Sequence, residues 1–425
     1  AWGHVLSHVS QRDLLSVERV SRAMRMMGRR EWSLRKEVDI QQHFPAATAE
    51  QEHMISIIER LSPALNSLRI GPPSSGAEGK LAVMDDFPSS RTITRSVIEE
   101  IAKRCTRLKK LEIHRMTLTL NALLAFPLLP CTIEELSITI SRMDCYTEED
   151  GRLAQDAMTS LVSSLPQLRR FEISGRGAAY EYFVLDERVL SRLPHSVTHI
   201  NLSAGNSLKL ADLRFVKQRE LDSFTLQRSF ICSKDLEGLV SISPNIRHLD
   251  LSNSRNITDF TAIAKLQFLK TLILNGNRDL RDEHLNSICR GCPALIEVDL
   301  EHCAKLTSDG LVSLGLLHSL RRLSLSGLPS VNLAVIEALT RCIDLVKLDV
   351  SFCRNVDVTC LATLISDFPL LRLVVMKGST LDMKLVNTLK GESILPFLEC
   401  DSLKAQQPAF SIPPPPPSLQ LLPLL

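Results

Sequence analysis

Leu295-Ile-Glu-Val298-Asp-Leu300-Glu-His-Cys303-Ala-Lys-Leu306-Thr-Ser-Asp-Gly310-Leu311-Val-Ser-Leu314 is followed by Leu320-Arg-Arg-Leu323-Ser-Leu325 and then by Leu345-Val-Lys-Leu348-Asp-Val350. Working outward, the same six aliphatic positions recur in five blocks of about 25 residues between Leu269 and Leu389. The blocks start at Leu269, Leu295, Leu320, Leu345 and Leu370; the next position holds Leu272, Val298, Leu323, Leu348 and Leu373, and the third Leu274, Leu300, Leu325, Val350 and Val375. A later triplet, Leu306, Leu311 and Leu314 in the quoted block, returns as Leu381, Val386 and Leu389 in the last. Every one of these positions is Leu, Ile or Val in a chain only 44% hydrophobic, so a true internal repeat underlies the pattern.

The spacing dictates local structure. In L-x-x-L-x-L the last two aliphatics are two residues apart and share one face of a short strand. The later triplet, spaced five and then three, lies along one side of a helix. Ser308-Asp309 and Asp282 stand where N-caps are needed, and Gly291 with Pro293 closes the helix of its block. Such a unit cannot bury its apolar side alone. Stacked copies form an α/β solenoid, with parallel strands on the concave side and the wider helices on the convex side.

The strand signature extends backwards through Ile246-Leu249-Leu251, Leu221-Phe224-Leu226, Val197-Ile200-Leu202, Leu168-Phe171-Ile173, Ile133-Leu136-Ile138 and Leu108-Leu111-Ile113 to a first strand at Leu65-Leu68-Ile70. A last strand is expected at Leu395-Pro-Phe-Leu398-Glu-Cys400. Irregular intervals place insertions near 71–96 and 174–187, inside a solenoid spanning residues 41–402. Residues 403–425 form a proline-rich tail, in which Pro413 to Pro417 set a polyproline II rod.

Fifty Lys and Arg against 48 Asp and Glu leave a net charge of +2, which gives no ground for a nucleic-acid or membrane partner. No apolar run reaches the roughly 18 residues that would span a bilayer. The eleven cysteines follow the repeat. Cys303 and Cys353 sit where the chain leaves its strand, the place Asn277 holds one block earlier, and are expected to bond the turn backbone in a ladder. Cys105, Cys292 and Cys342 sit at helix ends, and Cys289-Ile-Arg-Cys292 lacks the second pair that a zinc site requires. No metal and no cofactor is expected. An odd number of free thiols fits a reducing compartment, cytoplasmic or nuclear.

The run Leu295 to Leu311, with its lead-in Arg290-Gly-Cys-Pro-Ala-Leu295, and the run Leu345 to Val356 resemble the cysteine-containing leucine-rich repeat. In that family such arrays often follow an F-box, and residues 1–40 resemble one around His4-Val5-Leu6-Ser-His-Val9 and Asp13-Leu14-Leu15-Ser-Val17-Glu-Arg-Val20. Asp13 would cap a second helix, and Trp32 with Leu34 marks a third. Gln11, Ser21 and Met24 replace the usual Pro, Cys and Trp, and the usual opening Leu-Pro would precede Ala1, so the motif is expected to be truncated at its N-terminus. The resemblance implies that Val5, Leu6, Val9, Leu14, Leu15, Val17, Val20 and Trp32 dock the Skp-type linker of a cullin ubiquitin ligase.

No P-loop, dinucleotide fingerprint, H-E-x-x-H or G-x-S-x-G motif is present, and the histidines are dispersed, so no catalytic residue and no enzyme activity is expected. Asp299 and Glu301 read as solvated carboxylates of ordinary acidity. A wide concave wall remains. Strand alternation turns His248, Asp250, Glu297, Asp299, Glu301, Arg322, Lys347 and Asp349 outward as a patch of mixed charge suited to a protein substrate. The resulting expectation is a substrate-recognition adaptor of a cullin-type ligase, held by its head and gripping a substrate on its wall. The alternative is a ligase-independent scaffold whose N-terminal helices only cap the solenoid.

Overall fold

The computed structural model describes residues 14, 17, 18, 20–40, 51–71, 92–143, 145–175, 187–203, 220–378 and 398–399. The proline-rich tail and most of both expected insertions lie outside the described residues. Fourteen strands follow one another in a single parallel sheet: β1 (Glu37–Asp39), β2 (Ser67–Ile70), β4 (Lys110–Leu118), β5 (Glu135–Met143), β6 (Arg170–Gly175), β7 (His199–Ser203), β8 (Ser223–Leu226), β9 (His248–Asp250), β10 (Thr271–Ile273), β11 (Glu297–Asp299), β12 (Arg322–Ser324), β13 (Lys347–Asp349), β14 (Leu373–Val375) and β15 (Leu398–Glu399). A two-residue β3 (Thr92–Ile93) pairs off this path with the far end of β4. The chain is an α/β leucine-rich-repeat solenoid.

The register explains the repeat. Leu249, Leu272, Val298, Leu323 and Leu348 stand side by side on β9 to β13 and are all buried. A fixed two-residue side-chain period turns all of them to the same face, against the convex helices. In the first four blocks every position of the six-residue pattern is buried. The fifth block corrects the sequence reading. Leu348 pairs with Val374, not Leu373, and Leu370 is 47% exposed. The run Leu370-Leu-Arg-Leu-Val-Val-Met376 offers aliphatics in either register, and the structure seats Val374 and Met376 inward.

Convex segments alternate between true helices and tighter turns. Asp282–Gly291, Leu333–Leu339 and Val358–Ser366 are α-helical, whereas Thr261–Lys265 and Val312–Leu316 are 3₁₀. Asp282 is not the cap of its own helix. Its carboxylate accepts from the backbone N–H of Thr307 at 2.9 Å and from the Thr307 hydroxyl at 2.6 Å, clamping one repeat to the next.

After each of β8 to β14 one residue takes the left-handed conformation: Arg228, Asn253, Gly276, His302, Gly327, Phe352 and Gly378. Large and small side chains alternate in the second half of this series for a steric reason. A Cβ on Gly327 would stand 2.3 Å from Nδ1 of His302, so the glycine leaves room for the imidazole of the preceding repeat.

The turn is sealed from within. Asn277 is buried; its Nδ2 donates to the carbonyls of Leu251 (3.0 Å) and Leu274 (2.7 Å), and its Oδ1 accepts from Ser254 N–H at 3.0 Å. Cys303 and Cys353 each donate Sγ–H to a carbonyl of the preceding repeat, Leu274 and Leu325, at 3.2 Å. Burial pushes these two thiols up to about 12 and about 11, which keeps them protonated as donors. Cys289 and Cys292 are also buried, the latter donating to Ile263 O at 3.2 Å. Asn277→Ala is therefore expected to cost about 2–4 kcal/mol in urea unfolding, because it strands two buried backbone groups, the Leu251 carbonyl and the Ser254 N–H. Cys303→Ala loses one weak bond and should cost about 1 kcal/mol. Equal losses would refute the ladder.

The N-terminal head is built onto the first repeat. Ser21 caps helix Arg22–Leu34, accepting from Met24 N–H at 3.1 Å. Leu14 and Trp32 are fully buried in the common core, and the buried Glu18 accepts from Nε of Arg60 at 3.0 Å, tying the head to helix Gln51–Ile58. The wall starts one strand earlier than the sequence reading placed it, because β1 follows directly from this helix and pairs with β2.

Candidate functional site

Two polar rows run along the concave wall between the inward aliphatics. In the first, Lys110, Glu135, Arg170, His199, Ser223, His248, Thr271, Glu297, Arg322 and Lys347 occupy one position on successive strands. The second, two residues on, holds Asp39, Arg69, Glu112, Ser137, Glu172, Asn201, Thr225, Asp250, Ile273, Asp299, Ser324 and Asp349. Cations and imidazoles thus predominate in the first row, beside Glu135 and Glu297, and carboxylates in the second, beside Arg69.

The expected patch is placed as follows. His248 is exposed, and Glu297 accepts from Nη2 of Arg322 at 2.6 Å, so that pair neutralises itself within the first row. Lys347 and Glu301 are half-buried, Glu301 lying 3.5 Å from Nε2 of His302. Asp250, Asp299 and Asp349 do not project freely. Each accepts, at 2.9 Å, the backbone N–H two residues on, from Ser252, Glu301 and Ser351. These carboxylates therefore fasten the turn off the strand while facing the wall.

Their acidity departs from the sequence reading. Asp299 is pushed up to about 7, first by burial and then by the charges of Glu301, Asp250 and Asp349, against the pull of the Glu301 N–H. Burial likewise raises Asp250, opposed by hydrogen bonds from Ser252 and Gln227. Parallel strands lie about 4.8 Å apart, so Asp299, with Asp250 two strands to one side and Asp349 two to the other, is roughly 10 Å from each. No single pair explains the shift, and nothing adjacent in sequence announces it.

The wall is widest where the sequence reading placed no site. β4 and β5 are nine residues long against three in the C-terminal repeats. A bulge at Arg115, with φ 52°, shifts their register after His114. Arg69 donates to Glu112 at 2.7 Å and to Asp39 at 3.4 Å, and Lys110 reaches Glu112 at 3.2 Å and Glu135 at 3.5 Å. Burial would raise Glu112, but the His114 ring 4.0 Å away, together with Arg69 and Lys110, outweighs it and holds the carboxyl at about 2. The chain of polar contacts continues from His114 Nδ1 to Thr139 Oγ1 (3.2 Å) and from Thr139 to Ser174 Oγ (2.8 Å). Its signal was present: the alternation Leu111-Glu-Ile-His114 and Leu136-Ser-Ile-Thr139-Ile140 runs past the ordinary repeat.

Of the expected linker-docking residues, Leu14 and Trp32 are fully buried, Val17 packs partly against the core and Val20 is 73% exposed. Val5, Leu6, Val9 and Leu15 lie outside the described residues. Among the described residues no helix is long and apolar enough to cross a membrane.

A solved structure bears out the fold. The chain is similar to Rad7, solved as a complex of Rad7 and Elc1 from yeast, with TM-score 0.55 and 16% identity over 90% of this chain and 87% of that one. It is also similar to an internalin of Listeria monocytogenes, with TM-score 0.46 and 13% identity over 91% and 92% of the two chains. Among curated proteins, antagonist of mitotic exit network protein 1 of Candida glabrata is 32% identical over 148 residues, 30% of this chain and 28% of that protein. The chain thus matches little more than a quarter of that relative's length. No family model matches the chain.

Proposed function

We propose that the protein is a non-catalytic adaptor of a cullin-type ubiquitin ligase, its helical head docking the Skp-type linker and its concave wall holding a protein substrate. The observation that carries this reading is the rigid joint between the two parts. Leu14, Trp32 and the Glu18–Arg60 bond bury the head into the first repeat, and β1 runs from the head helix straight into the wall. A fixed joint holds a docked substrate at a set distance from a docked ligase, and proximity then supplies the rate while the bond chemistry happens elsewhere. The similarity in fold to Rad7, solved with Elc1, supports the same reading. The wall's mixed rows favour a substrate segment carrying both signs of charge.

Co-expression of the full chain with a Skp-type linker and a cullin tests the proposal. A stoichiometric complex on size exclusion is expected, and a chain eluting alone would refute it. The second reading, a ligase-independent scaffold capped by its own helices, draws on the burial of Leu14 and Trp32, which leaves neither side chain at the surface. Aspartate at Leu14 cannot separate the two readings, because a charge at a fully buried position would unfold the head itself.

A further inference from the structure

The helix Arg22–Leu34 has two faces of different chemistry. Its inner face holds the buried Gly28 and Trp32, and a Cβ at Gly28 would stand 2.9 Å from Cγ of Glu18. At 3.6 residues per turn, Arg22, Met26, Arg29, Arg30 and Ser33 fall on one outward stripe. Met26 is 71% exposed, and Val20 and Leu34, at the two ends, are 73% and 64% exposed. From Arg22 to Lys36 the chain carries six cations, Arg22, Arg25, Arg29, Arg30, Arg35 and Lys36, against one acid, Glu31. Among the described residues no carboxylate pairs with Arg22, Arg29 or Arg30. The whole chain is near neutral, so this excess is local, and among the described residues its charge at Arg22, Arg29 and Arg30 is unmatched.

We propose that this stripe is the docking surface for the linker, and that the linker presents to it an acidic face with an apolar centre. This rests on the adaptor reading above. It moves the contact from Leu14 and Trp32 to Arg22, Met26, Arg29 and Arg30. Arginine and methionine are the residue types that protein interfaces favour: the guanidinium fork takes carboxylates two-pronged, and the thioether adapts to an uneven apolar surface. A phosphate polymer fits less well. The exposed Met26, Val20 and Leu34 would gain nothing from it, and Glu37 and Asp39 open the adjoining wall. A membrane surface fits less well too, since Met26 is the stripe's one apolar side chain among Arg22, Arg29 and Arg30, too little to insert into a bilayer.

Calorimetric titration of the full chain with a Skp-type linker and with Elc1 tests the proposal, at low and high salt. Binding to at least one of them is expected, weakening as salt rises. Arg29→Glu with Arg30→Glu should weaken it roughly ten-fold or more, and Met26→Asp by a similar factor. Lys265→Glu, on the convex side, should leave it unchanged. All these side chains are exposed, and matching circular dichroism and melting curves check that each variant is folded. Linker binding indifferent to the double reversal and to salt would overturn this inference and leave the adaptor reading standing. Failure of both proteins to bind would sink the adaptor reading and this inference with it. Tighter binding of duplex DNA, or of phosphatidylcholine–phosphatidylserine vesicles, lost in the double reversal, would overturn it by assigning the stripe to a polyanion.

Discussion

Asp299→Asn is expected to raise stability by about 2–4 kcal/mol at pH 8 and to remove a pH dependence that the natural chain carries. In the folded protein the Asp299 carboxyl is pushed up to about 7, chiefly by burial. In the unfolded chain it returns to about 3.9. The native state therefore holds this proton more tightly than the unfolded state does. The resulting stabilisation is fully present below about pH 4 and is lost as pH rises through about 7. Asparagine carries no charge to desolvate, and its Oδ1 can still accept the Glu301 N–H that Asp299 now accepts at 2.9 Å. Urea midpoints measured across that pH range in both proteins check this. Parallel curves would mean that the carboxylate is solvated after all, as its sequence neighbours imply.

Gly71→Val should have a larger and more local effect, on the order of 4 kcal/mol. Gly71 closes β2 with φ 96°, a region that a β-branched residue occupies only under strain. Its missing Cβ would stand 2.0 Å from the backbone oxygen of His114 on β4, the strand that pairs with β2. A backbone atom cannot rotate away as a side chain can, so β2 and β4 must part. Each repeat touches only its neighbours, and the damage should stay at that end of the solenoid. In hydrogen exchange, peptides from β1 and β2 are expected to lose protection while β9 to β13 keep theirs. Loss spread evenly over the chain would contradict independent stacking, and unchanged exchange would contradict the steric argument.

The fold was legible wherever the aliphatic spacing had only one solution. Val298, Leu323 and Leu348 could be matched by eye because polar residues flank each of them on the other face. The spacing failed at Leu370, where five of seven consecutive residues are Leu or Val and a one-residue shift satisfies the pattern equally. It was also silent on Asp282, whose place before Leu285 reads as a cap although its partner is Thr307 in the next repeat. The candidate site was legible as a set of positions but not as chemistry. Strand alternation brought Asp250, Asp299 and Asp349 to the wall, but could not say that they would be drawn into its turns.

The sequence alone determined that identical units stack, how many strands the wall gains per unit, and which aliphatics face inward. These follow from a period of two along a strand and about 25 along the chain, and both are local properties of the polymer. Tertiary structure decided everything that depends on a neighbour one or more repeats away. The acidity of Asp299 comes first from burial, with carboxylates two strands off adding to that of Glu301, and the withdrawal of Leu14 and Trp32 comes from the first repeat. Burial and electric field are sums over surrounding atoms, and those atoms come together only when the units stack.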